Sequence, residues 1–313
     1  MTRDVEPAPL FVDPSQHAVL YEVHSLWLQL EPLDADDEDR FHHAASIVES
    51  WVGSELRVST DGFSAEREYE GLLPWMTRVP LLLDHQVAPY PSPARKMATT
   101  RLGFGVSCRG GGSQRASPFG ARVRCRLPRA AQGDLSVSTF LHVTVPSTHG
   151  AADLRTRALE LATALRVRWG NAGLGYSAVS RAPALALGKM FAHARSHPGF
   201  DVTCDVDPVW DSALRSVSWL TILGRGLRGV DVDDPNLGEL PGVTLHRLDD
   251  AVMLQAGEAP AAGDMNRLLL PEAYCAVDRA VRRARAKEGA TFPAPWRDDL
   301  ASGWLKRFER SVV

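Results

Sequence analysis

The chain has 313 residues, 44% of them hydrophobic, a formal charge of -3 and four cysteines. That is material for a large core, as one big domain or two modest ones, so a globular protein is expected, and it excludes a dense disulfide scaffold and a uniformly basic nucleic-acid binder. Cys108, Cys125, Cys204 and Cys275 fit no zinc or redox spacing, residues 1–20 carry no secretory pattern and no apolar run is long enough to cross a bilayer, so the expectation is a cytoplasmic protein with no membrane partner.

In chain order, the apolar groups Val19, Leu20, Tyr21, Val23, Leu26, Trp27, Leu28 and Leu30 predict a long strand over residues 19–31, stopped by Pro32. Asp34 to Asp39 then form an acidic start for a helix that carries Phe41, Ala44, Ala45, Val48, Trp51 and Val52 and stops at Gly53. His42 and His43 are adjacent and point in different directions, so they are no metal pair. Prolines at 74, 80, 89, 91 and 93 and the glycine-rich stretch 110–120 predict two loops around a β-prone Arg101 to Cys108.

Charge is unevenly distributed. Residues 1–84 contain 5 basic and 17 acidic residues, residues 85–133 contain 9 basic and no acidic ones, and the rest contains 21 of each. Arg122, Arg124 and Arg126 alternate with Val123, Cys125 and Leu127, which places three guanidiniums on one face of a strand. Such a row attracts something negative. Its own acidic N-terminal segment and a protein partner are the two readings carried forward; nucleic acid is disfavoured because stacking aromatics are sparse there.

From Asp134 the pattern predicts a strand over Leu135 to Val145 and a helix over Ala151 to Trp169, broken by Gly170, Gly173 and Gly175. A short returning strand, Tyr176 to Ser180, comes next, and then a helix from Ala184 to His197, ended by Pro198-Gly199. His193 and His197 share a helix face but lack the glutamate of a zinc peptidase, and are expected to be surface groups that suit the helix C-terminus. Asp201, Asp205 and Asp207 surround Cys204, and Asp207-Pro208 reads as a helix start.

Residues 217–274 admit two readings. Gly224, Gly226 and Gly229 make a Gly-x-Gly-x-x-Gly after an apolar octet, with Asp249 twenty residues further on, as in a dinucleotide site. Pro235, Pro241 and four acids leave no room for the helix that would hold the pyrophosphate. The preferred reading makes Trp210 to Leu223 an amphipathic helix capped by Gly224 or Gly226. Asp231, Asp233, Asp234, Asn236 and Glu239 imitate a calcium loop without its glycine or final glutamate in place. Val243 to Arg247 and Ala251 to Ala256 predict a hairpin, and Pro271 starts a last helix through Tyr274, Val277 and Val281. Together these elements predict an α+β protein with mainly antiparallel sheet and helices packed on one side.

Trp219-Leu220-Thr221, Leu223-Gly224, Gln255-Ala256-Gly257 with Pro260, Gly263-Asp264, Asn266-Arg267 and Tyr274 resemble the C-terminal signature of the type VI secretion immunity family. Arg168-Trp169-Gly170, Gly175-Tyr176 and Pro198-Gly199-Phe200-Asp201 extend the resemblance over about residues 134–290. It implies a non-catalytic protein that binds and neutralises a cognate effector toxin, with no active-site residues to carry over. The expected division is an acidic segment 1–93, a basic segment 94–133 and a region 134–313 carrying the resemblance, or one continuous domain. No cofactor or metal is expected, Arg122, Arg124 and Arg126 are the candidate partner-binding residues, and the motif residues Trp219, Gly224, Gly257, Gly263, Asp264, Asn266, Arg267 and Tyr274 are read as structural. The alternative is a nucleotide-dependent enzyme using Gly224, Gly226 and Gly229.

Overall fold

A computed structural model describes residues 8–15, 17–31, 37–60, 66–72, 104–112, 115–125, 139–179, 184–202, 213–285 and 298–309. Pro32, Asp34, the prolines of 74–93, Arg126, Leu135, Cys204, Asp205, Asp207-Pro208 and Trp210 lie outside them.

The centre of the molecule is strand β2 (Ala18–Leu30), whose thirteen residues are buried except for the half-exposed Glu22. Its apolar side chains, Val19, Leu20, Tyr21, Val23, Leu26, Trp27, Leu28 and Leu30, fall on both faces, as a strand covered on both sides requires. Strand β1 (Phe11–Val12) pairs with its start. Beyond it come β3 (Val58–Thr60), β4 (Arg67–Glu68), β5 (Phe104–Arg109), β6 (Gly120–Cys125), β7 (Phe140–Pro146), β8 (Val167–Ala178), β9 (Leu220–Gly224), β10 (Val243–Arg247) and β11 (Ala251–Ala256). They form one 11-stranded sheet in the order β10-β11-β9-β8-β2-β7-β6-β5-β3-β4, every described pairing antiparallel. The fold is α+β with an antiparallel sheet, as the sequence predicts.

Helices α1 (Glu38–Val52) and α2 (Ala151–Ala164) cover one face of the sheet. Phe41, Ala44, Ala45 and Val48 of α1 meet Val123 and Leu141 across a residual cavity of about 10 Å³, so the layer is closely packed. The Trp51 indole N–H donates to Asp153 Oδ2 at 2.8 Å and ties the two helices together. Helix α3 (Ala184–Ser196) builds a second core with Leu20, Tyr176, Phe200 and Trp304. Helix α4 (Glu272–Val281) buries Tyr274, Val277 and Val281 in the main core, and α5 (Asp298–Leu305) closes the described chain.

Two elements differ from the sequence expectation. Helix α2 ends at Ala164, and Trp169, Gly170, Gly173 and Gly175 all lie inside strand β8. These glycines admit neighbours: a Cβ on Gly170 would sit 2.7 Å from Leu28 Cδ2, and one on Gly175 2.7 Å from Ser25 Cβ. Of the helix expected over Trp210 to Leu223, Trp210 to Ser212 lie outside the described residues, and Leu220 to Leu223 belong instead to strand β9, completely buried between β8 and β11. Its apolar run has no alternation because both faces are covered, and a short apolar run of that kind does not distinguish strand from helix.

Candidate functional site

Cross-strand register puts Arg109 of β5 and Arg122 and Arg124 of β6 on one face of the sheet, since Ser107 opposes Arg122, Gly105 opposes Arg124 and Arg109 opposes Gly120. Ala121 and Val123 point the other way, into the core under α1. Alternation along β6 therefore does separate charge from core. Arg126 falls outside the described residues, so the observed basic set is Arg109, Arg122 and Arg124.

This face is only half covered at its basic end and becomes buried towards β2. The Arg122 guanidinium lies 5.3 Å from the centroid of Phe140, whose ring stacks on Trp27 at 4.3 Å. Burial, then the neighbouring Arg124 and Arg109 charges, pushes Arg122 down to about 10. Arg109 makes an ion pair with Glu66 at 3.8 Å, which joins the basic stretch to the acidic N-terminal segment. Other acids of that segment turn elsewhere: Glu31 pairs with Arg168 and Asp37 with Arg166.

His142 faces Arg122 across the β6–β7 ladder, and its Nε2 makes a 2.9 Å hydrogen bond with Ser25 Oγ. Burial pushes its pKa down to about 3, with the Arg122 and Arg215 charges adding to the shift, so the ring is neutral. Arg215, 4% exposed, pairs with the buried Asp201 and lies over the rings of Trp27 and Trp169 at 5.5 and 5.9 Å. Asp201 thus serves a buried ion pair.

The motif residues of the C-terminal half, Gly224 apart, gather around the segment between β11 and α4. Trp219, fully buried, donates its indole N–H to Gly257 O at 3.1 Å. Tyr274, also fully buried, accepts from Ala261 N–H at 3.1 Å. Gly257 and Gly263 have φ of 85° and 69°, a region glycine enters freely. Gly224 packs so closely on Val167 that a Cβ there would overlap its carbonyl. Asp264 caps the short 3-10 turn Met265–Arg267 by accepting from Asn266 N–H at 2.9 Å, and its carboxylate lies 3.5 Å from Arg267. At the tip, Leu268 and Leu269 are 70% and 57% exposed. The sequence analysis singles out neither leucine, because an apolar run carries no sign of its own exposure.

The glycine motif does not form a nucleotide site. Gly224 ends β9 and Gly226 lies in a turn, but the chain after Gly229 runs through turns into the five-residue 3-10 helix Pro235–Glu239, so no helix start faces a pyrophosphate. Asp233 pairs with Arg225, Asp231 accepts from Asp233 N–H at 3.0 Å and Asp234 caps the 3-10 helix through Asn236 N–H at 2.9 Å; these acids shape the loop. His193 and His197 are not simple surface groups. His193 bonds Tyr176 Oη at 2.8 Å and lies 3.1 Å from Glu22, while His197 Nδ1 donates to Gly263 O at 2.9 Å. Among the described residues no cluster of histidine, cysteine and carboxylates has metal-binding geometry, and no helix is long and apolar enough to cross a membrane.

A family model described as TsiV, type VI immunity for VRR-NUC, matches residues 113–308, well over half of the chain. The chain therefore belongs to that family and is a type VI immunity protein. Its fold is similar to that of the Pseudomonas aeruginosa T6SS protein PA0821, with a TM-score of 0.72 at 18% identity over 97% of this chain and 87% of that one. No curated protein matches the sequence significantly.

Proposed function

We propose that this protein acts in the cytoplasm as a non-catalytic inhibitor, binding a cognate VRR-NUC effector and neutralising it. The observation that carries the reading is the family match over residues 113–308, which spans β6, the buried polar face and the whole C-terminal half. Neutralisation by binding asks for a rigid surface of matched shape and charge, with no reacting groups of its own. The half-buried face bearing Arg122 and Arg124, with Arg126 adjoining in sequence, supplies a positive field that speeds encounter with an acidic region of the effector.

The test is growth and co-purification. Expression of a candidate VRR-NUC effector from the same cells should arrest growth, and co-expression of this protein should restore it and yield a complex that survives size exclusion. Arrest with neither rescue nor complex refutes the pairing. Arg124→Glu should lower the association rate on the order of tenfold at low salt and weaken its salt dependence, with a smaller change in dissociation, as measured by surface plasmon resonance.

A further inference from the structure

The loop 263–270 is built as though its tip were meant to be held out. Asp264 and Leu269 exchange both backbone hydrogen bonds at 2.8 Å, closing the loop at its neck. Below the neck, His197 holds Gly263 O, Tyr274 Oη holds Ala261 N–H, and Gly199 N–H donates to Ala262 O at 2.7 Å. At the top, Leu268 has φ 56° and ψ 27°, the one non-glycine residue with left-handed backbone among the described residues. Glycine or asparagine would occupy that conformation with little strain. A leucine is there instead, with its neighbour Leu269 also exposed and Arg267 78% exposed beside them. Strain kept in place by a rigid neck, with apolar groups in water at the summit, is the pattern of a site preorganised for contact.

We infer that Leu268 and Leu269 are the apolar anchor by which this protein seats in a socket on the VRR-NUC effector, with a carboxylate on the socket rim meeting Arg267. The inference rests on the proposed function and names the surface that performs it. The effector is the occupant to which the inference commits, because the family to which the chain belongs is described as immunity for VRR-NUC. Two leucines bury far less than the roughly 800 Å² per partner of a stable interface, so they serve as a hot spot within a larger contact.

The experiment compares wild type with Leu268→Gly and Leu269→Asp, measuring Kd for the purified VRR-NUC effector, the melting temperature of each variant alone, and its mass in solution by light scattering. Leu268→Gly removes the side chain and relieves the backbone, so it keeps the fold and should melt no more than a few degrees from wild type. Both variants are expected to bind on the order of 30-fold more weakly or worse and to lose growth rescue. Wild-type binding with unchanged Kd for both variants overturns the anchor and leaves the proposed function standing. Failure of wild type to bind overturns both. A dimer of the protein alone that Leu269→Asp dissolves would assign the tip to self-association and overturn the inference.

Discussion

Single residues carry the largest local stakes where charge is buried. Asp278, with no exposed surface, pairs with Arg285, which also reaches Glu309, so one guanidinium fastens α4 to the end of the described chain. Arg285→Met would leave the buried Asp278 carboxylate only the more distant and half-exposed Arg282, 3.5 Å away, and a loss of about 3 kcal/mol is expected, read as a lower urea midpoint with unchanged slope. His142 makes the fold sensitive to acid. Its folded pKa is pushed down to about 3 while the unfolded ring keeps a value near 6.5. The unfolded chain therefore takes up the proton first, and the contribution of His142 is complete above about pH 6.5 and is lost as pH falls towards 3, at up to about 1.4 kcal/mol per pH unit. His142→Gln should flatten that part of a stability–pH curve; His24, lowered by burial and by His149, shifts the same way and leaves part of the slope. The alternation of Arg122 and Arg124 was legible in sequence because period two is written along one strand. The state of His142 was not, because its causes sit on β2 and β6 and on Arg215.

At the scale of elements, legibility followed the number of covered faces. Helix α1, with its apolar groups on one side, and the β10–β11 hairpin around Asp249 and Asp250 stand where periodicity and turn chemistry put them. Strands β8 and β9 were misread for one shared reason: in the middle of a covered sheet, glycine and continuous apolar sequence are what neighbouring side chains require, and both imitate other signals. Gly173 illustrates it, since a Cβ there would lie 2.5 Å from Ser218 Oγ and 3.3 Å from Trp219. Gly173→Ala should cost about 1–3 kcal/mol and lower the melting temperature, although alanine ordinarily favours a folded chain over glycine.

For the whole molecule, the decisive fact is the order of strands. Strand β2, from the first tenth of the chain, pairs with β7 on one side and β8 on the other. A fragment of residues 134–313 would keep those two strands and lose the one between them, so it is expected to give no dispersed amide spectrum by NMR, while the full chain should. No local signal in a sequence announces that a strand will be completed by partners more than a hundred residues away, which is why the class of fold was readable and the sheet order was not. The same arrangement sets a delay. Strand β2 is synthesised first but acquires its second flank only after Ala178 has been made, and such distant pairing is slow to form. At roughly 5–20 residues per second, making 313 residues alone takes on the order of 15–60 s. For the inhibitor proposed above, this delay means that the copies able to meet an effector at once are those completed before it arrives.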